Sequence, residues 1–151
     1  MRRRRTALLL LFMMVMPASP MAAAERLVGR ARAIDGDTLV VGGIHVRLQG
    51  VAAPEIKHPG MPVPEPGGPE AAAFMAHLVD GQILVCDLTG ERTHRREVGI
   101  CRLDGRDVGA ELIAAGLARD CPRFSKGRYA AVEQPEAAAL PFPGYCVPRG
   151  R

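Results

Sequence analysis

No apolar stretch in this 151-residue chain is longer than the ten residues Ala7–Met16 (ALLLLFMMVM). Ten helical residues rise about 15 Å, half of a bilayer's hydrocarbon core, so the run is too short for a membrane-spanning anchor. No cysteine precedes Cys86, which removes the acceptor that a lipoprotein anchor needs. There is no C-x-x-C pair, and His45, His58, His77 and His94 are scattered, so the spacing of a structural zinc site is missing. Lysine is nearly absent, 2 Lys against 18 Arg, a skew that reads as codon bias in a GC-rich genome. No internal repeat is present. Composition leans neither to disorder nor to a coiled coil: 48% hydrophobic and 24% charged is the ordinary balance of one globular domain.

What the chain does have begins with a leader. Arg2 to Arg5 form a positive segment, the apolar run follows, Pro17 breaks it, and Ala22-Ala23-Ala24 supplies small residues for cleavage before Glu25. Residues 1–24 are therefore expected to be a signal peptide. Residues 25–151 are expected to be one exported domain, periplasmic or extracellular, with a proline-rich tail from about 122 and no membrane span. Without the leader, 16 basic and 16 acidic residues remain, and the formal charge of +4 falls to zero. No global field then steers a polyanion, so phosphate binding must arise from local geometry. The even count of Cys86, Cys101, Cys121 and Cys146 in an exported chain argues for two disulfides, with three connectivities open.

Residues 28–48 alternate like strands, with a turn-like Asp35-Gly36-Asp37 and a two-residue Gly42-Gly43 hairpin turn. Six prolines between Pro54 and Pro69 predict a long irregular loop. Pro69-Glu70 opens a helix that runs to Asp80-Gly81. Residues 82–88 and 98–103 read as strands joined by a polar segment, 89–97. A second helix is expected at about 108–118, followed by an irregular tail. This order is that of a small Greek-key barrel with packed helices.

Three groups could carry chemistry. Asp35 and Asp37 place two carboxylates on one turn, where they repel unless a cation or donor neutralises them. Alone, such a tripeptide is an ordinary turn. Arg47 follows on the outward face of the third strand, with a planar fork suited to phosphate, though a lone arginine there also reads as a surface ion pair. Glu55, at that strand's end, could act as a general base on water.

The combined pattern is more specific. Ile34-Asp-Gly-Asp-Thr38, then Arg47-Leu-x-x-Val-x-x-Pro-Glu55, Lys57-His58-Pro59 and Gly68-Pro-Glu-Ala71 resemble the staphylococcal nuclease (thermonuclease) family, as do Glu111-Leu-Ile113 and Gly116-Leu-Ala118. The resemblance implies an α+β, mainly β domain: a five-stranded OB-fold barrel with two or three packed helices. It implies a calcium-dependent phosphodiesterase that cuts DNA and RNA with little sequence preference, and the chain is expected to act as a monomer. Asp37 would be a metal ligand, with Asp35 as the nearby carboxylate that could join it. Arg47 would bind phosphate and Glu55 would be the general base. The family's second arginine lies five residues before a hairpin cysteine, which gives Arg96 first and Arg95 next, with Arg95 and His94 in place of the family's Gly and Tyr. The resemblance also places Cys86 and Cys101 on adjacent strands, leaving Cys121–Cys146 to tie the tail. The family's aromatic wall is thin here, since residues 25–151 hold five aromatics and the chain has no Trp.

One departure stands out. The family's V-D-x-P-E is Val51-Ala52-Ala53-Pro54-Glu55, so a second carboxylate ligand is Ala52. The calcium site is thereby incomplete. The expectation is a weak nuclease, and the alternative a non-catalytic module that binds nucleic acid or a protein partner. Position 52 is expected to be partly solvated, so the fold should tolerate Ala52→Asp, which should rebuild the carboxylate pair with Asp37, tighten calcium binding and raise calcium-stimulated cleavage.

Overall fold

The structure, a computed structural model, describes residues 25–56 and 60–149. Residues 1–24, where a signal peptide is expected, and Lys57-His58-Pro59 lie outside the described residues. Strands β1 (Arg26–Ala33), β2 (Thr38–Val41) and β3 (Ile44–Leu48) form an antiparallel meander. Gly42 and Gly43 connect β2 to β3 with φ of 54° and 85°, the left-handed pair that a two-residue hairpin turn demands and that glycine adopts without strain. A short β4 (Val51–Ala52) precedes α1 (Gly68–Val79). Then come β5 (Ile83–Thr93), β6 (Arg96–Leu103), β7 (Arg106–Asp107), α2 (Val108–Ala114), β8 (Arg119–Asp120) and α3 (Pro122–Ser125). Two 3₁₀ turns, Pro135–Ala139 and Gly144–Cys146, end the chain.

β5 pairs with β1 and β6, and β3 pairs in parallel with β6, so β1-β2-β3-β6-β5 closes into a five-stranded ring. This is the mainly β, OB-type arrangement with helices beside it. Inside the ring Leu39, Val41, Val46, Leu48 and Leu84 are buried with the helix residues Met75, Val79, Leu112 and Ile113. α1 contributes Ala71, Met75 and Val79 at four-residue intervals, one stripe of a helix face. α2 is capped by Asp107, whose Oδ1 accepts from the N–H groups of Gly109 and Ala110.

The tail, expected to be irregular, carries α3 and the two 3₁₀ turns, and two further elements differ from the sequence expectation. Segment 89–97 is not a connector: β5 continues to Thr93, and Arg92 and Thr93 pair with Glu97 and Arg96. The ladder shifts register between Leu88 and Arg92, and the extension stands out from the core, so it carries no hydrophobic alternation. α2 stops at Ala114 rather than 118, because Gly116 (φ 74°) turns the chain and Leu117 closes back onto the Leu112 carbonyl.

The disulfides are Cys86–Cys101 and Cys121–Cys146. The first joins directly opposed residues of β5 and β6, both fully buried in the core. Replacing both by Ala should lower unfolding free energy by about 2–4 kcal/mol, read from urea unfolding. An unchanged midpoint would contradict a structural role for this bridge.

Candidate active site

The Ile34–Thr38 turn sets the site. The Asp35 Oδ1 accepts from the backbone N–H groups of Asp37 (3.0 Å) and Thr38 (2.7 Å), an Asx turn that commits this carboxylate oxygen to the backbone. Gly36 lies so close to Ala53 that an added Cβ would meet the Ala53 Cβ at 2.6 Å, and only glycine permits that approach. Asp37 is thereby aimed inward, 2% exposed. Its Oδ2 accepts from the Ala53 N–H at 3.0 Å, and its Oδ1 forms an ion pair with Arg47 Nη1.

Arg47 lies opposite Thr38 in the β2–β3 register. Its Nη2 donates to the Val51 carbonyl at 3.3 Å and to the Tyr145 hydroxyl at 3.4 Å. Burial pushes the Asp37 carboxyl up to about 7, against the pull of Arg47 and of the Ala53 N–H. Burial also works against the Arg47 charge, but Asp37 first, and more weakly Tyr145, Asp35 and Glu55, outweigh it and hold the guanidinium above its usual value.

Arg96 opens β6 and donates from Nη1 to Thr38 Oγ1 at 3.0 Å and from Nε to the Thr93 carbonyl at 3.4 Å. The preceding turn residues, His94 and Arg95, both have positive φ (46° and 64°), a strained choice for side-chain-bearing residues. Arg95 is exposed at the hairpin tip and does not line the cleft, whereas Arg96 does. Glu55 is held by reciprocal bonds to Glu65: its N–H donates to Glu65 Oε2 at 2.9 Å, and its carbonyl accepts from the Glu65 N–H at 2.9 Å. Arg47, Glu55 and Arg96 line one cavity of about 510 Å³, together with Arg92, Phe124 and Tyr145. The cleft is locally rich in guanidinium although residues 25–151 carry no formal net charge.

A calcium ion takes six to eight oxygens. Here both Asp37 oxygens are engaged and one Asp35 oxygen holds the turn. Ala52 contributes no side-chain oxygen and is 1% exposed, packed with Cys121, Cys146 and Phe142. The expectation that position 52 is partly solvated is overturned by this packing. Among the described residues no cluster of three or more His, Cys, Asp or Glu could hold a metal. The donor set among the described residues does not fit a calcium ion.

The family described as staphylococcal nuclease homologue matches residues 45–140, well over half of the chain. The chain belongs to the staphylococcal nuclease family. Arg47, Glu55 and Arg96 fall inside the matched residues; Asp37 precedes them. A curated relative, the succinoglycan biosynthesis protein ExoI of Rhizobium meliloti (strain 1021), is 37% identical over 118 residues, which are 74% of this chain and 61% of that protein. Within this nuclease-family cleft the residue missed from sequence is Tyr145. It approaches Arg47 across 98 residues of chain, and its one local signal is its place beside a paired cysteine.

Proposed function

We propose that this chain is an exported nuclease-family phosphodiesterase that seats a DNA or RNA phosphate between Arg47 and Arg96 and hydrolyses it with Glu55 as general base. The convergence of these three side chains on one cavity carries the reading. Three Arg47 contacts go to Asp37, Val51 and Tyr145, so part of its five-donor fork remains for phosphate oxygens. Glu55 accepts a proton from water as the water oxygen bonds to phosphorus. The bond to the leaving sugar oxygen breaks, and that oxygen leaves with a proton from solvent. Negative charge building on the non-bridging oxygens is met by the two guanidinium groups. Two disulfides support an extracytoplasmic site of action, since such bridges persist in oxidising compartments.

A second reading, a non-catalytic binding module, draws on one observation: Asp37 is committed to Arg47 and Ala52 supplies no carboxylate. Glu55→Gln separates the two. Loss of a general base should lower hydrolysis of denatured DNA by about 10²–10⁴-fold and leave oligonucleotide affinity within about twofold. Equal rates in wild type and variant would remove Glu55 from the chemistry and favour the module.

A further inference from the structure

The two disulfides differ in what they hold. Cys86–Cys101 joins two neighbouring strands that the ladder already pairs. Cys121–Cys146 joins residues 25 apart in sequence and bears on the cleft from both ends. At one end Cys121 caps α3, whose third residue is Phe124. At the other, Cys146 is adjacent to Tyr145 in the last 3₁₀ turn. Phe124 and Tyr145 meet edge to face, ring centroids 6.4 Å apart, on the wall of the cavity that holds Arg47 and Glu55. The Tyr145 hydroxyl accepts from Arg47 Nη2 at 3.4 Å, and the Tyr145 carbonyl accepts from Arg123 Nη1 at 3.4 Å.

The remaining hold on the tyrosine is slight. Its side of the tail is irregular from Leu140 to Pro143, and Tyr145 itself is 49% exposed. Two long hydrogen bonds, one ring edge and, three residues away, the stacking of Phe142 on Arg119 do not by themselves fix an exposed segment against its chain entropy. The disulfide does, since Cys146 is fully buried against Cys121 and Ala52. At the arginine end Asp37 holds Nη1 of Arg47, and Nη2 donates to the Val51 carbonyl and to the Tyr145 hydroxyl.

We propose that Tyr145, delivered by the Cys121–Cys146 disulfide, is a positioning residue for the Arg47 guanidinium, so that the nuclease-family cleft is complete only in the oxidised chain. This rests on the proposed phosphate-binding role of Arg47. Tyr145→Phe keeps the ring and removes the hydroxyl. Cys121→Ala/Cys146→Ala frees the tail. Cys86→Ala/Cys101→Ala is the control, which weakens the fold without touching the cleft.

The test uses the purified oxidised protein and two readouts. In steady-state hydrolysis of a labelled single-stranded oligonucleotide, Tyr145→Phe should lower kcat about tenfold with KM within twofold, the effect of one hydrogen bond to a charged group. The Cys121/Cys146 variant should lose at least as much, and the Cys86/Cys101 variant should keep its kcat below its melting temperature. Independently of nucleic acid, phenylglyoxal modification followed by peptide mapping should show Arg47 reacting several-fold faster in the first two variants and at the wild-type rate in the control. Wild-type kcat and wild-type Arg47 reactivity in Tyr145→Phe and in the Cys121/Cys146 variant would overturn the proposal. If the wild-type protein neither binds nor cuts the oligonucleotide, the functional reading fails by itself, and the Arg47 reactivity still decides the positioning role.

Discussion

Arg47→Ala should abolish most hydrolysis and destabilise the fold at the same time. Removing one preorganised donor to the phosphoryl transition state lowers rate by about 10²–10³-fold. The structural effect has a separate origin. Arg47 neutralises Asp37, a carboxylate 2% exposed whose remaining partners are the Ala53 N–H and a 3.4 Å contact from Thr38 Oγ1. Breaking a buried ion pair from one side typically costs about 3–5 kcal/mol. The pH dependence gives the sign. Burial already raises the Asp37 carboxyl to about 7, and loss of Arg47 raises it further. At pH 5 the carboxyl is neutral in the folded variant and burial is tolerated. As pH rises, the unfolded chain ionises Asp37 freely while the folded chain resists, so stability falls until the folded carboxyl has titrated. Urea unfolding should therefore show a larger Arg47→Ala deficit at pH 8 than at pH 5. Asp37→Asn on the Arg47→Ala background should recover much of the stability and none of the activity. A deficit that is the same at both pH values, or recovered activity in the double variant, would contradict this division of roles.

Ala52→Asp should damage the protein rather than complete a metal site. The alanine methyl faces the Cys121–Cys146 bridge and Phe142, and Ala52 belongs to β4, paired with Arg119 of β8. Arg119, across the β4–β8 pair, is already engaged: its Nε donates to Glu133 at 3.2 Å and its guanidinium stacks over the Phe142 ring at 4.2 Å, so turning its Nη groups to a new carboxylate would disturb both contacts. A carboxylate placed in this apolar cluster exchanges water for this one shared guanidinium. A destabilisation on the order of 3 kcal/mol is expected, or a melting temperature about 10 °C lower for a domain of this size. Calcium titration by calorimetry should show no new site. An Ala52→Asp protein that keeps its melting temperature and binds calcium would contradict the account of position 52.

These two sites also mark where sequence reasoning reached and where it stopped. The meander β1–β3 was legible because Gly42-Gly43 sits between alternating runs, and α1 because Pro69-Glu70 marks its first turn. The family resemblance pointed to Arg47, Glu55 and Arg96 together, and the three line one cavity, while their roles in chemistry are proposals. The hairpin extension was not legible, since Gly90 and Glu91 fall in the register shift, Arg92 and Thr93 pair beyond the core, and none shows an apolar period. Position 52 was misread for a different reason. Its burial comes from Cys121, Cys146 and Phe142, residues brought there by tertiary closure of the tail, and a local motif carries no record of that. The same closure brings Tyr145 to Arg47.

The most direct measurement is cleavage of a labelled single-stranded DNA by the purified, oxidised wild-type protein, once in a calcium chelator and once with added calcium. A cleft in which Arg47, Arg96 and Glu55 do the chemistry predicts the same products at rates within about twofold in both, and loss of those products in Glu55→Gln. Cleavage that appears only when calcium is added would contradict the account of the donor set. No cleavage under either condition would contradict the catalytic role of the cleft.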